Sequence, residues 1–417
     1  MTAVPEKRNP FPENVTRLFT NCRVATMANG RYGTIENAAL AVAGDKIAWI
    51  GPMDTLPDPL PGDIERTGCK NRWILPGFVD CHTHLIWAGS RAGEFEMRLA
   101  GASYADIARA GGGISSTVKA TRAADEDTLF DLASKRMAHF LNQGITTVEV
   151  KSGYGLELKS ELKMLAVAAR LQKTCPQEVI ATFLGAHAFP PEFAGRSDDY
   201  VRQITEKMLP AVKIQGAATA VDVFCENIAF SRDQTRRVFE SALDLGFDIK
   251  LHAEQLSDSD GTALAAEMGA LSCDHLEYLS DAGVRKMAEH GTVAVLLPGA
   301  FHYLRETRVP PVAAFRQNNI PMALATDLNP GSSPVFSMHP VLNMACLLFG
   351  LTCEEALAGA TIHGAAALGL ADRKGSLAPG KDADFVIWDV DTPADLCYFT
   401  GITPVKQVVI GGQAATP

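Results

Sequence analysis

Between residues 74 and 370 of this 417-residue chain, short apolar runs alternate with helical patterns, and this alternation restricts the fold more than any other feature. The runs cover residues 74–80, 145–150, 179–185, 220–224, 248–251, 270–274, 293–297 and 322–326, eight in all. One intervening stretch places Leu129, Leu132, Ala133, Met137, Phe140 and Leu141 at helical spacing and closes at Gly144. Another carries Leu162, Leu165, Ala166 and Ala169. Strands alternating with helices form parallel βαβ units. Eight such units in about 300 residues predict an α/β chain whose main body is a (β/α)8 TIM-like barrel.

The two ends read differently. Residues up to about 70 are β-rich, with turn signals at Asn29-Gly30 and Gly44-Asp45. Residues 382–390 and 406–412 are short strand patterns with glycine turns. The expected organisation is a small composite β-sandwich domain from residues 1–73 plus 374–417, around a barrel over 74–373.

Composition removes several function classes. With 47% apolar and 21% charged residues, the chain has enough apolar surface to offset the entropy of ordering it. The formal charge of −10 argues against nucleic acid as a partner, because phosphate contacts need a basic surface. No apolar run approaches the roughly 18 residues that span a bilayer, and no secretory signal is visible at the N-terminus. The nine cysteines are scattered, odd in number and free of any C-x-x-C pair, so reduced thiols in a cytoplasmic protein are expected.

In a (β/α)8 barrel, chemistry is carried where the strands end. The first run ends Asp80-Cys81-His82-Thr83-His84, and alternation along an extended segment sends His82 and His84 to one side. The fifth ends His252-Ala253-Glu254-Gln255, the sixth Asp274-His275 and the eighth Thr326-Asp327. Polar groups buried at one barrel face need partners, since desolvating them unpaired costs several kcal/mol. A metal is such a partner. Three imidazoles and one carboxylate (His82, His84, His252 and Asp327) suit zinc or iron better than magnesium or calcium. His139, His290, His339 and His363 are read as structural or surface residues.

The segment Leu75-Pro-Gly-Phe-Val-Asp-Cys-His-Thr-His resembles the opening motif of the amidohydrolase superfamily, and 375–389 resembles that superfamily's return into its sheet domain. Within it the chain is most similar to the imidazolonepropionase family. That similarity rests on Ala88-Gly-Ser-Arg-Ala-Gly-Glu-Phe, Gly111-Gly-Gly-Ile, Glu149-Val-Lys-Ser-Gly-Tyr-Gly, Phe183-Leu-Gly-Ala-His-Ala, Leu251-His-Ala-Glu-Gln and Ala325-Thr-Asp-Leu-Asn-Pro-Gly-Ser, in this order over nearly the whole chain. The resemblance implies one zinc or iron ion per subunit on His82, His84, His252 and Asp327. It implies hydrolytic ring opening of 4-imidazolone-5-propanoate to N-formimidoyl-L-glutamate, in histidine degradation, by a homodimer. It places substrate contacts on Arg91, Tyr154, His187, Gln255, Asn329, Gly331 and Ser332. Glu254 is expected to carry protons between water and the departing ring nitrogen, and His275 to polarise the ring carbonyl or hold the water. Backbone N–H groups around 329–333 are expected to receive the carboxylate formed on ring opening. Gly111-Gly-Gly is read as a loop over the site, with Tyr104 reaching the ligand; His302 is left as pocket lining or loop surface.

Rival readings differ in named residues. A carboxylated lysine bridging two metals needs a lysine at the end of the fourth run, where the chain has Phe224-Cys225-Glu226; Lys151 follows the second run instead, and Cys225 or Glu226 is left open as an unusual bridge. Nucleobase deaminases of this superfamily commonly carry the acid–base glutamate three residues after the fifth-strand histidine. Here that position is Gln255. A non-catalytic protein on the same scaffold is expected to have lost ligands, and all four are present.

Overall fold

The computed structural model describes residues 11–102 and 111–416; Tyr104 lies outside the described residues. Strands β1 (Arg17–Ala25), β2 (Thr34–Ala43), β3 (Lys46–Pro52) and β4 (Glu65–Pro76) begin one sheet. Strands β5 (Phe78–Asp80), β6 (Ile145–Lys151), β7 (Glu178–Ala186), β8 (Ala218–Cys225), β9 (Asp248–Ala253), β10 (Ser272–His275), β11 (Val293–Leu296) and β12 (Met322–Leu324) form a second. The chain then returns to the first sheet with β13 (Phe385–Trp388), β14 (Val405–Ile410) and β15 (Gln413–Ala415).

The terminal sheet has seven strands in the order β15-β14-β13-β4-β1-β2-β3. Residues Gly44 and Asp45 turn β2 into β3, with Ala43 opposite Lys46. The sheet curls over its own core. Ile47 N–H on β3 donates to Lys381 O at 2.9 Å, and Ala383 N–H donates to Asp45 O at 2.8 Å, which ties the far edge to the segment entering β13. Phe19 and Phe385 pack edge to face inside the curl, with ring centroids 5.0 Å apart.

The eight-stranded sheet runs β5 to β12 in sequence order, every pair parallel, as βαβ units dictate. Helices Glu126–Asn142 and Leu158–Thr174 cover it where the periodicity places them, and Asp125 caps the first by accepting from Thr128 N–H at 2.8 Å. The first apolar run divides: its start belongs to β4 and its end to β5, and the chain changes sheet at Gly77. A Cβ there would lie 2.2 Å from Thr146 Oγ1, so only glycine lets the crossing pack against β6.

The barrel closes between its first and last strands just beyond their C-terminal ends. His84 N–H donates to Leu328 O at 2.9 Å, Asp327 N–H donates to His82 O at 3.0 Å, and Thr326 N–H donates to the Asp80 carboxylate at 3.0 Å. The same seam that shuts the barrel therefore brings two histidines from its start beside an aspartate from its end.

Candidate active site

The histidines reach one point because β5 and β9 end at one rim. One ring nitrogen each of His82, His84 and His252 lies within 4.8 Å of the others. His252 Nε2 is 3.4 Å from His84 Nε2, and Asp327 Oδ1 is 3.4 Å from both His82 Nε2 and His84 Nε2. All four side chains are nearly sealed from solvent.

Two carboxylates behind them fix the rings. His82 Nδ1 is 2.6 Å from Asp274 Oδ2, and His252 Nδ1 is 3.0 Å from Asp222 Oδ1. An ionised carboxylate only accepts, so both rings carry the proton on Nδ1 and turn an Nε2 lone pair to the shared point. Burial alone would raise both carboxyls. Contact with the His252 ring and with Lys151 holds Asp222 well below the carboxylate range, and Lys250, His82 and Lys151 do the same for Asp274.

Lys151 sits under the cluster, fully buried, 2.7 Å from Asp222, 3.0 Å from Glu149 and 3.8 Å from Asp274. Lys250 lies 3.2 Å from Glu149 and donates to Cys81 O at 3.1 Å. Burial opposes the Lys151 charge, but the three carboxylates more than restore it. Sequence reading missed this floor, although ionisable residues inside the apolar runs (Glu149, Asp222 and Lys250) were a signal for it. The Lys151 amine is spent on these partners. Glu226 accepts from Leu256 N–H at 2.9 Å, and Cys225 Sγ lies 3.7 Å from Ser259 Oγ.

The donor set fits a cation. His82 Nε2 is buried with no hydrogen-bond partner among the described residues. Burial and Lys151 oppose protonation of His82, yet Asp274 and Asp327 outweigh them and raise it to about 9. The gap between His82 and Asp327 thus calls for positive charge, which a divalent ion with imidazole and carboxylate ligands supplies.

Above the cluster opens a cavity of about 440 Å³. Arg91, Tyr154, His187, Gln255, Asn329, Gly331 and Ser332 all line it, together with His84, His252, His275 and Asp327. Arg98, Glu94, Ile114 and Phe224 also line it and were not anticipated. Arg91 Nε is held 2.8 Å from Glu94, whose other oxygen accepts from Gly113 N–H at 3.0 Å, so the Gly111-Gly-Gly segment is tied to the wall. A Cβ on Gly331 would come within 2.2 Å of the Arg91 guanidinium, so glycine leaves room for that group. His187 Nδ1 donates to Gly153 O at 3.0 Å, leaving Nε2 free, and its ring stacks on His84 at 5.0 Å. Burial lowers His275 to about 3, which keeps it neutral.

Two expectations are corrected. Glu254 does not face the cavity. Its backbone is left-handed, with φ 51°, which breaks the strand alternation and swings the carboxylate away from His252. The carboxylate is fully buried and accepts from Gly261 N–H at 2.8 Å, Ser259 Oγ at 3.1 Å, Thr262 N–H and the Thr262 hydroxyl. The next residue, Gln255, takes the position on the wall. Secondly, the N–H groups of Gly331, Ser332 and Ser333 already donate to Asn329 Oδ1, at 2.8, 2.7 and 3.4 Å, so they are not a vacant carboxylate nest. His275 and Asp327 are left-handed too, with φ 82° and 50°. These turns end the strand alternation at three places on one rim. His302 is exposed and does not line the cavity. His339 and His363 donate to backbone carbonyls, as structural histidines do.

Comparison with known proteins decides the family. The amidohydrolase family pattern matches residues 73–415. The chain belongs to the amidohydrolase family. It is 55% identical over 402 residues to an imidazolonepropionase of Shewanella putrefaciens (strain CN-32 / ATCC BAA-453), covering 95% of this chain and 98% of that one. An imidazolonepropionase of Pseudomonas aeruginosa (strain UCBPP-PA14) is 54% identical over 394 residues, covering 94% and 97%. The fold matches a zinc-bound adenosine deaminase from Xanthomonas campestris with TM-score 0.71 at 20% identity, over 97% of this chain and 93% of that one. It also matches a 5-methylcytosine deaminase from Klebsiella pneumoniae with TM-score 0.72 at 16% identity, over 95% and 96%. At such identities these two speak for the barrel and its second sheet alone. This amidohydrolase has no helix, among its described residues, long and apolar enough to cross a membrane.

Proposed function

We propose that the chain hydrolyses the ring amide bond of 4-imidazolone-5-propanoate to give N-formimidoyl-L-glutamate, a step of histidine degradation in the cytoplasm. The observation that carries this reading is one cavity with a guanidinium, Arg91, on its wall and an imidazole–carboxylate cluster at its floor. Near-full-length likeness to imidazolonepropionases supports the same substrate. In this reading the barrel spans 74–373, the composite β-sandwich spans 1–73 with 374–417, and the working form is a homodimer.

His82, His84, His252 and Asp327 would hold one zinc or iron ion. When bound, such an ion acts as a Lewis acid toward water and the scissile carbonyl. Arg91 binds the propanoate through its planar fork, and Glu94 keeps that fork in place. Tyr154, His187 and Gln255 position the ring, with Asn329 ordering the loop that carries Gly331 and Ser332. Water adds to the ring carbonyl carbon, and the bond from that carbon to the ring nitrogen breaks. Neutral His275 donates an N–H to the oxygen on which charge develops. With Glu254 turned away and Glu94 tied to Arg91, Asp327 is the carboxylate at the cluster that takes the proton of water. That proton passes to the departing nitrogen, which leaves as the amidine of the product, while the carbonyl carbon becomes its carboxylate.

The test is an ultraviolet assay for loss of imidazolone propanoate, run beside metal analysis of the purified protein. Turnover that chelation abolishes and zinc or iron restores is expected. Release of ammonia from purine or pyrimidine bases, with no loss of the imidazolone, would overturn the reading.

A further inference from the structure

Three cysteines from three separate helices meet on the outside of the barrel. Cys346 is in the helix Met338–Phe349, Cys353 begins the helix Cys353–Ala358, and Cys397 lies in the helix Asp395–Tyr398 between β13 and β14. Their three sulfur atoms all lie within 4.8 Å of one another. None of the three lines the cavity. The spacing of the nine cysteines gave no reason to group them; the fold does.

The chemistry of the group is that of a soft-metal site. A zinc–thiolate bond of about 2.3 Å puts sulfurs that share a tetrahedral ion roughly 3.8 Å apart. The observed trio needs to contract by no more than about an ångström. Sulfur is the ligand such ions choose over oxygen. The three thiols also act on each other: hydrogen bonds to Cys397 and Cys353 lower Cys346 to about 7, whereas burial raises Cys353, and the hydrogen bond to Cys346 together with burial raises Cys397, so Cys346 is the thiol that ionises first. Cys397 is buried, whereas Cys346 and Cys353 are half-buried, which leaves a way in for an ion and a fourth ligand. Tyr32 packs beside them, its phenol pushed up by burial and then by these thiols.

We propose that Cys346, Cys353 and Cys397 form a second metal site, selective for zinc-class cations, which pins the last helices of the barrel to the β13–β14 connection of the terminal sheet. It is separate from the imidazole–carboxylate cluster and does not depend on the substrate assigned to that cluster. Binding converts three thiols to thiolates and releases their protons to solvent.

Cobalt(II) titration of the reduced, full-length, metal-loaded protein tests this. A thiolate-to-cobalt charge-transfer absorption is expected, because nitrogen and oxygen ligands at the cavity cannot produce one. Cys346→Ser and Cys353→Ser should weaken that binding by more than the roughly 10–100-fold that losing a residue which only supports a ligand costs. Both should retain turnover and unfold at the temperature of wild type loaded at the cavity cluster alone. With the cavity cluster already loaded, further zinc should raise the melting temperature of the wild type and not of the variants. His82→Ala should lose turnover and keep the absorption. The proposal is overturned if no charge-transfer band develops, if the band survives in both serine variants, or if the trio forms a disulfide with an oxidant yet takes up no metal when reduced.

Discussion

The two sheets of this molecule are made of similar strands and fill their interiors in opposite ways. Inside the seven-stranded terminal sheet, Phe19, Leu40, Ile74, Phe385 and Ile387 pack into one apolar cluster. Inside the mouth of the eight-stranded sheet, Glu149, Lys151, Asp222, Lys250 and Asp274 meet each other, and four metal-type ligands stand above them. Each buried ion costs several kcal/mol of desolvation, which only close pairing offsets. A core needed for stability alone has no use for that arrangement. The difference identifies the mouth as the place where the fold gives up stability for a fixed, charged scaffold, and the terminal sheet as the place where it does not.

The largest expected effect removes the scaffold's purpose. Asp327→Ala should lower turnover at least about 10³-fold, on the scale of losing a transition-state stabiliser. It should leave the melting temperature of the metal-free protein close to wild type. Unchanged turnover would show that the cluster is not the reaction centre.

The sharpest contrast comes next. Lys151→Met strands buried carboxylates and should cost about 3–5 kcal/mol. Phe385→Ala should cost a similar amount, about 3–5 kcal/mol, through a cavity in the terminal sheet. Denaturant unfolding measures both. Only Lys151→Met should also loosen metal retention against a chelator, because its partners Asp222 and Asp274 orient His252 and His82. Equal loss of metal in both variants would erase the distinction between the two interiors.

Arg91→Ala should raise KM by about 10–100-fold, the equivalent of roughly 1.5–3 kcal/mol for a lost charge-assisted bond, with a smaller change in kcat. An unchanged KM would remove the carboxylate clamp from the wall of the cavity. The smallest functional effect is expected for Glu254→Gln. Its carboxylate caps the chain around Gly261 and Thr262, so the change should cost stability of about 1.5–3 kcal/mol while turnover per folded molecule stays within about tenfold. A drop of a hundredfold or more would return proton transfer to Glu254.

The contrast also explains what could be read in advance. Seven of the eight apolar runs match barrel strands to within a few residues, because a parallel strand buried on both faces must be apolar nearly throughout. The first run hid a change of sheet at Gly77, since periodicity does not report which sheet an apolar residue joins. The His82/His84 pair was legible because alternation carries both side chains to one side. Alternation failed two residues past His252, where Glu254 adopts a left-handed turn that its residue type does not announce. Asp222 and Lys151 could have been suspected as charges within or directly after apolar runs. Their pairing could not, because it joins residues 71 apart in the chain. The approach of Cys397 to Cys346 and Cys353, from 44 residues beyond Cys353, is another meeting that spacing along the chain does not encode.

The most direct test of the cation site is anomalous X-ray scattering from crystals of the purified protein, measured on both sides of the zinc and iron absorption edges. The account predicts one strong peak at the barrel mouth, about 2.0–2.2 Å from ring nitrogens of His82, His84 and His252 and from an Asp327 oxygen. A map with no anomalous peak among these four side chains, in protein that turns over substrate, would contradict it.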